Sequence, residues 1–172
     1  MKVAVVGSGG WGTALALVLL ENGHEVTLWS FSEKEADILR TQRENPLLKG
    51  VALPAALKIC TEIACVAEKE LVVFATPSFA VRETAQKAAP YLGDGTLVVS
   101  VSKGIEKGTS LRLSQIIDEE TKGRCRIVAL SGPSHAEEVG RHVPTGCVAA
   151  SLDQEAAEMV QDAFMNERFR IY

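Results

Sequence analysis

Three glycines near the start of the sequence, Gly7, Gly9 and Gly12, stand at G-x-G-x-x-G spacing within Gly7-Ser8-Gly9-Gly10-Trp11-Gly12, a pattern suited to holding a pyrophosphate. Gly7 allows a tight turn, Gly9 leaves room for phosphate oxygens beside the backbone, and Gly12 lets a helix lie close to the preceding strand. Free N–H groups and the positive end of the helix dipole then face the anion. The same glycines also fit a bare strand-to-helix connection, although such a connection rarely needs three of them at this spacing. A second candidate is Lys103, which follows an apolar run and precedes Gly104. Its ammonium is a compact cation with three donors, able to bind a phosphate or carboxylate or to polarise a carbonyl. A lysine there also reads as an ordinary surface residue at a strand end. Gly132-Pro133-Ser134-His135 adds backbone N–H groups and a hydroxyl ahead of a short helix, again suited to an anion. His135 itself reads as structural rather than as a base, and His24 and His142 read as surface or turn residues.

The elements that must position these residues follow from the apolar patterning. Met1 to Val6 is apolar enough for a buried strand, and Thr13 to Leu20 is rich in the Ala and Leu of a helix, which Gly23 ends in the left-handed conformation. Glu25–Trp29 reads as the second strand. Ser32-Glu33-Lys34-Glu35 fits a capping box opening a helix to about Arg43, and the apolar stretch Asn45–Pro54 reads as an ordered loop packing over the sheet edge. Further strands are predicted at 57–60, 71–75, 96–101, 126–130, 146–150 and 169–172. A short helical segment at 62–68, helices at 79–89, 110–120 and 136–140, and a helix opened by a capping box at Ser151-Leu152-Asp153-Gln154 and reaching about Met165 alternate with them. Ser78, Thr109 and Ser151 read as the caps of three of these helices. Strands alternating with helices imply an α/β fold with a doubly wound, mainly parallel Rossmann-type sheet and helices on both faces, in one domain over residues 1–172. In such a sheet the turns starting at Gly7, Ser30, Thr76, Ser102 and Ser131 crowd one edge, where ligands bind.

Composition narrows the classes. The 172 residues are 47% hydrophobic and 23% charged, with a formal net charge of −4, which argues against a nucleic-acid partner and requires any anion site to be local. Cys60, Cys65, Cys125 and Cys147 show no C-x-x-C spacing and no histidine partners, so neither a metal site nor a disulfide framework is expected, and reduced thiols in a cytoplasmic protein fit the pattern. No run reaches the ~18 apolar residues of a membrane span, and Met1-Lys2 does not open a signal peptide.

Beyond the second strand the chain offers Ser30-Phe31-Ser32, with nothing acidic at the tip to repel a 2′-phosphate. Lys34, Arg40 and Arg43 lie close enough in sequence to help hold one, though each singly reads as well as part of a solvated face. A dinucleotide held at these glycines is expected to be NAD or NADP, with NADP mildly favoured.

Four stretches carry a resemblance. Gly7-x-Gly9-x-Trp11-Gly12-Thr13-Ala14-Leu15-Ala16, Ala75-Thr76-Pro77-Ser78, Ser102-Lys103-Gly104-Ile105-Glu106 and Ser131-Gly132-Pro133-Ser134-x-Ala136-Glu137-Glu138 resemble the NAD(P)-dependent glycerol-3-phosphate dehydrogenases of bacterial type over essentially the whole sequence. The resemblance implies reduction of dihydroxyacetone phosphate to sn-glycerol 3-phosphate for phospholipid synthesis, and a homodimer in the full-length enzyme. It implies that Gly10 and Trp11 line the dinucleotide, Phe31 lies near the adenosine ribose, and Lys103 contacts cofactor and substrate. Gly132 and Ser134 would meet the substrate and Ala136 the cofactor. Many members carry a basic residue or histidine where Phe31 stands. The family also has a helical second domain that supplies a proton-transferring lysine and a phosphate-binding Asn/Arg cluster. The sequence reaches Tyr172 before that part, so the chain is expected to bind dinucleotide and be nearly inactive alone. A stand-alone dinucleotide-sensing module, or the cofactor domain of another two-domain dehydrogenase, are the alternative readings.

Overall fold

Residues 3–6 of the opening strand have no solvent exposure at all, the condition of a strand covered on both faces. In the computed structural model, which describes all residues from Met1 to Tyr172, this strand β1 (Lys2–Val6) is the third from one end of an eight-stranded sheet. The others are β2 (Glu25–Trp29), β3 (Lys58–Cys60), β4 (Leu71–Phe74), β5 (Leu97–Ser100), β6 (Arg126–Ser131), β7 (Thr145–Ala150) and β8 (Phe169–Ile171). The order is β3-β2-β1-β4-β5-β6-β7-β8, and every pair is parallel except the antiparallel β6 and β7. β1 therefore has β2 on one side and β4 on the other, and strand order reverses there. This reversal opens the crevice in which doubly wound sheets bind ligands.

Alternation along the strands divides the apolar residues between two layers. Val3, Val5, Val73 and Val99 pack with α1 (Gly10–Glu21) and α6 (Gln154–Phe164), while Ala4, Val6, Val72, Phe74 and Val98 pack with α3 (Val81–Ala88) and α4 (Leu113–Glu120). Each fully buried Val or Leu contributes about 1.5–3 kcal/mol relative to an exposed one, so both layers are committed to this register. Two short helices complete the set, α2 (Glu33–Gln42) beside β3 and α5 (Ala136–Gly140) against α1.

Several local expectations are corrected. α1 starts at Gly10 rather than Thr13, so Trp11 and Gly12 belong to its first turn. Ser78 does not cap a helix: Ser78–Ala80 forms a 3-10 turn first, closed by Ala80 N–H on the Pro77 carbonyl, and α3 begins at Val81. Thr109 does not cap α4 either. Its hydroxyl donates to Glu106, Ser110 takes a left-handed φ of 59°, and Ile105 bridges Arg112, which delays the helix to Leu113. Asp153, not Ser151, caps α6, accepting from Ala156 N–H at 3.1 Å, while Ser151 donates to the Ile127 carbonyl. The box expected at Ser32 and Glu35 is half made. Ser32 Oγ accepts from Glu35 N–H at 3.3 Å, but the Glu35 carboxylate turns toward Ser30. Finally, the Asn45–Pro54 loop is ordered as expected but lies over the glycine turn and the start of α1, with Leu48 and Leu53 in the α1-side core.

Candidate functional site

The ends of β1, β2, β4 and β5 and the turn after β6 border one cavity of about 740 Å³. Its floor is the glycine turn. Gly7 has φ +123°, and a Cβ there would lie 2.7 Å from the Ala75 carbonyl group. At Gly12 a Cβ would lie 2.0 Å from the Gly7 carbonyl oxygen, so α1 can approach β1 only because that atom is missing. Gly9 differs, because nothing stands within 4 Å of where its Cβ would be. That space opens into the cavity that Gly9 lines, and it is the room a pyrophosphate needs beside the backbone.

The turn is held by contacts distant in sequence. Asn45, 2% exposed, donates through Nδ2 to the Ser8 carbonyl at 2.9 Å and to Thr13 Oγ1 at 2.6 Å. Ser8 Oγ in turn donates to Ser30 Oγ at 2.8 Å, joining the end of β1 to the end of β2. The loop also brings the Leu47 carbonyl to within 2.7 Å of a Cβ placed on Gly10. Asn45 was missed because only its place before Pro46 marked it, and that signal reports a helix end rather than a contact.

On the far wall, Lys103 Nζ donates to the Gly132 carbonyl at 2.9 Å. Ser134 Oγ donates to the same oxygen at 3.3 Å, so the turn after β6 and the lysine after β5 meet on one acceptor. Ser102 Oγ donates to the Thr76 carbonyl at 2.5 Å and ties the β5 end to the β4 end. Gly132 is pressed against β7: a Cβ would lie 2.5 Å from the Gly146 carbonyl oxygen and 2.9 Å from the Cys147 Cα. Burial pushes the Cys147 thiol up, against the opposing pull of its Ser134 hydrogen bond, which keeps it protonated behind the turn. Ala136, the first residue of α5, lines the cavity beside Gly10. His135 is exposed and its side chain makes no cap hydrogen bond.

At the β2 end, Phe31 is 78% exposed, and Phe79, not singled out from sequence, is 88% exposed; both border the cavity. Of the basic residues expected near a 2′-phosphate, Arg40 is bound to Glu33 and Asp37, and Arg43 to the carbonyls of Leu53, Pro54 and Leu57. Neither they nor Lys34 border the cavity, because α2 points those positions away from the strand tip. Lys87 borders it instead, together with Glu35 and Glu83, so the expectation that nothing acidic stands at the strand tip is corrected: α2 and α3 bring carboxylates there from outside the Ser30-Phe31-Ser32 stretch.

Two buried side-chain polar atoms lack any hydrogen-bond partner, Trp11 Nε1 and Thr76 Oγ1, and both residues line this cavity. Leaving such a group unpaired costs roughly 1–3 kcal/mol, which a polar ligand in the cavity would relieve. The open space at Gly9, the two unpaired polar atoms and the aromatic walls all fit a dinucleotide.

Comparison with known proteins agrees. Residues 2–157 match the family described as NAD-dependent glycerol-3-phosphate dehydrogenase N-terminus. The chain belongs to that family. A glycerol-3-phosphate dehydrogenase (NAD(P)+) of Desulfitobacterium hafniense is 48% identical over 172 residues, 99% of this chain and 49% of that protein. One of Agathobacter rectalis is 45% identical over 99% of this chain and 51% of its own length. The crystal structure of glycerol-3-phosphate dehydrogenase from Coxiella burnetii superposes with a TM-score of 0.93 at 31% identity, covering 99% of this chain and 53% of that one. The chain thus spans about half the length of the curated glycerol-3-phosphate dehydrogenases it matches. No helix is long and apolar enough to cross a membrane.

Proposed function

We propose that residues 1–172 form a dinucleotide-binding unit that takes NAD or NADP across the β1/β4 crevice. In this reading they serve an enzyme that reduces dihydroxyacetone phosphate to sn-glycerol 3-phosphate. Gly7, Gly9 and Gly12 cradle the pyrophosphate, Gly10, Trp11 and Ala136 line it, and Phe31 faces the adenosine. The observation that carries the substrate half of the reading is the Lys103 to Gly132 hydrogen bond, which turns a free cation toward the cavity. A bare dinucleotide module has no need of it.

A dinucleotide bound there would supply the hydride. Lys103 spends one of its three donors on Gly132, leaving two for the carbonyl oxygen or phosphate of the triose. Charge grows on that oxygen as the ketone is reduced, so a fixed ammonium beside it favours the transition state more than the ground state. Gly132 and Ser134 set the distance of the substrate from this cation. Lys103 does not also close the cleft against water, so the 172-residue chain binds dinucleotide and turns over little. The free thiols suit a cytoplasmic setting, and a second copy of the longer protein is the partner the family resemblance implies.

Titration of the chain with NADH and NADPH by calorimetry tests the first half, and saturable binding of either is the expected result. The second half is tested by Lys103→Ala in a protein extended to the length of the relatives. Turnover should be lost while dinucleotide binding is largely kept, whereas unchanged turnover rejects the assignment. Appreciable substrate-dependent oxidation of NAD(P)H by the 172-residue chain would refute its inactivity.

A further inference from the structure

The β2 end of the cavity carries charges of both signs on side chains that sequence reading did not bring together. Lys87, in the last turn of α3, holds its ammonium 5.8 Å from the centre of the Phe31 ring. Phe31 is the first exposed residue beyond β2, so Lys87 stands over the strand tip from the α3 side. From the α2 side, Glu35 Oε2 accepts from Ser30 Oγ at 3.5 Å, and Ser30 is the residue that follows the strand. Both Lys87 and Glu35 border the cavity. In a doubly wound sheet this tip meets the adenosine ribose, and an acid there binds a free 2′-hydroxyl while a cation there accommodates a 2′-phosphate.

What separates Lys87 from the other cations nearby is that its present partner is weak. Its ion pair with Glu83, at 2.6 Å, joins side chains 50% and 69% exposed, an i,i+4 surface pair of little net worth. Giving up that single carboxylate for a phosphate dianion therefore costs Lys87 little, although Glu83 also borders the cavity. Arg40 is the opposite case, held by Glu33, Asp37 and the Ile59 carbonyl together. Glu35 is similarly free, since its only side-chain contact is the long bond from Ser30, and its backbone N–H rather than its carboxylate serves the Ser32 cap.

We propose that Lys87 and Glu35 are the specificity-determining pair for the dinucleotide. Lys87 pairs with the 2′-phosphate of NADP, and Glu35 accepts from the 2′-hydroxyl of NAD while repelling that phosphate. The inference rests on the dinucleotide reading above. Glu83, the present partner of Lys87, borders the cavity as well, so the tip carries two carboxylates and one cation, and Lys87 and Glu35 each tune one dinucleotide.

The test is calorimetric titration of the unchanged chain, Lys87→Gln and Glu35→Gln with NADH and with NADPH at low ionic strength. Lys87→Gln should weaken NADPH roughly tenfold, the worth of one charge-assisted pair, and leave NADH within about twofold. Glu35→Gln should tighten NADPH several-fold and weaken NADH. Both residues are on exposed helix faces, and matching thermal transitions will show that the variants fold. An NADPH-to-NADH affinity ratio unmoved by either substitution, or both affinities moved together by Lys87→Gln, overturns the selector alone. Failure of the unchanged chain to bind either dinucleotide overturns the selector and the dinucleotide reading together.

Discussion

Lys103 and Gly132, twenty-nine positions apart in sequence, meet at 2.9 Å through ammonium and carbonyl, and that bond closes the far wall of the cavity between β5 and β6. Because Gly132 is itself wedged against β7, the lysine is anchored to the rigid part of the sheet. Removing the ammonium should therefore cost catalysis much more than binding. Lys103→Met in a protein of the relatives' full length is expected to lower kcat/KM by about 100-fold or more, the usual effect of losing one fixed charge-stabilising donor. Steady-state kinetics beside a dinucleotide titration measures the two effects separately.

Gly12→Ala sets two effects against each other. Alanine gains about 1 kcal/mol over glycine inside a helix. Its Cβ, however, would lie 2.0 Å from the backbone oxygen of Gly7, which no side-chain rotation relieves. The clash, about 1–3 kcal/mol or more as α1 is pushed off β1, outweighs that gain, and a urea midpoint measures the net loss.

Asn45→Ala should loosen the glycine turn without touching it in sequence. The substitution leaves the Ser8 carbonyl and Thr13 Oγ1 buried with a partner lost, at a cost of about 1–3 kcal/mol. Stability should fall by that amount, and dinucleotide affinity should fall with it, because the loop also positions Leu47 over Gly10. Asn45→Asp keeps the oxygen that accepts from Leu47 N–H but loses both donated bonds, so it should resemble alanine.

Glu106 sets an acid limit on the loop that follows Lys103. The Arg82 guanidinium donates to it through two nitrogens at 2.7 Å and Thr109 adds a third bond, which together hold its carboxyl down at about 2 from an ordinary 4.5. A carboxyl depressed on folding stabilises the protein above its unfolded pKa, and that stabilisation is lost as pH falls through the folded value. Stability should therefore decline from about pH 4.5 to about pH 2. In Glu106→Gln the decline should be shallower, with urea titrations across this window as the measurement. Asp153, held at about 2 by Arg126, supplies a parallel decline that the variant leaves intact.

The strands were legible because their apolar runs are short, β-branched and punctuated by glycine and proline, and the glycine turn was legible because its spacing encodes its geometry. The meeting of Lys103 with Gly132 and Ser134 followed from a rule about strand ends rather than from either residue alone. Helix starts were read less well. Ser78, Thr109 and Ser151 have the chemistry of caps, but a 3-10 turn, a left-handed Ser110 and the choice of Asp153 each moved the start by a few residues. The site contacts of Asn45, Lys87 and Glu35, the last read only as part of a capping box, were invisible for a different reason. Each acts through a partner from another element, and a polar residue before a proline or on a charged helix carries no mark of what the fold will set opposite it.

β1, the first strand in chain order here, is placed near the middle of the sheet. β1 finds β2 within its first thirty residues, but its other neighbour, β4, comes only after residue 70, with α2 and β3 between. During synthesis the apolar stretch 3–6 must wait with one row of its backbone groups unclaimed. Parallel pairings of this range form slowly. The interval before β4 is made is thus when the nascent protein is most open to misassociation, and when a chaperone has most to protect.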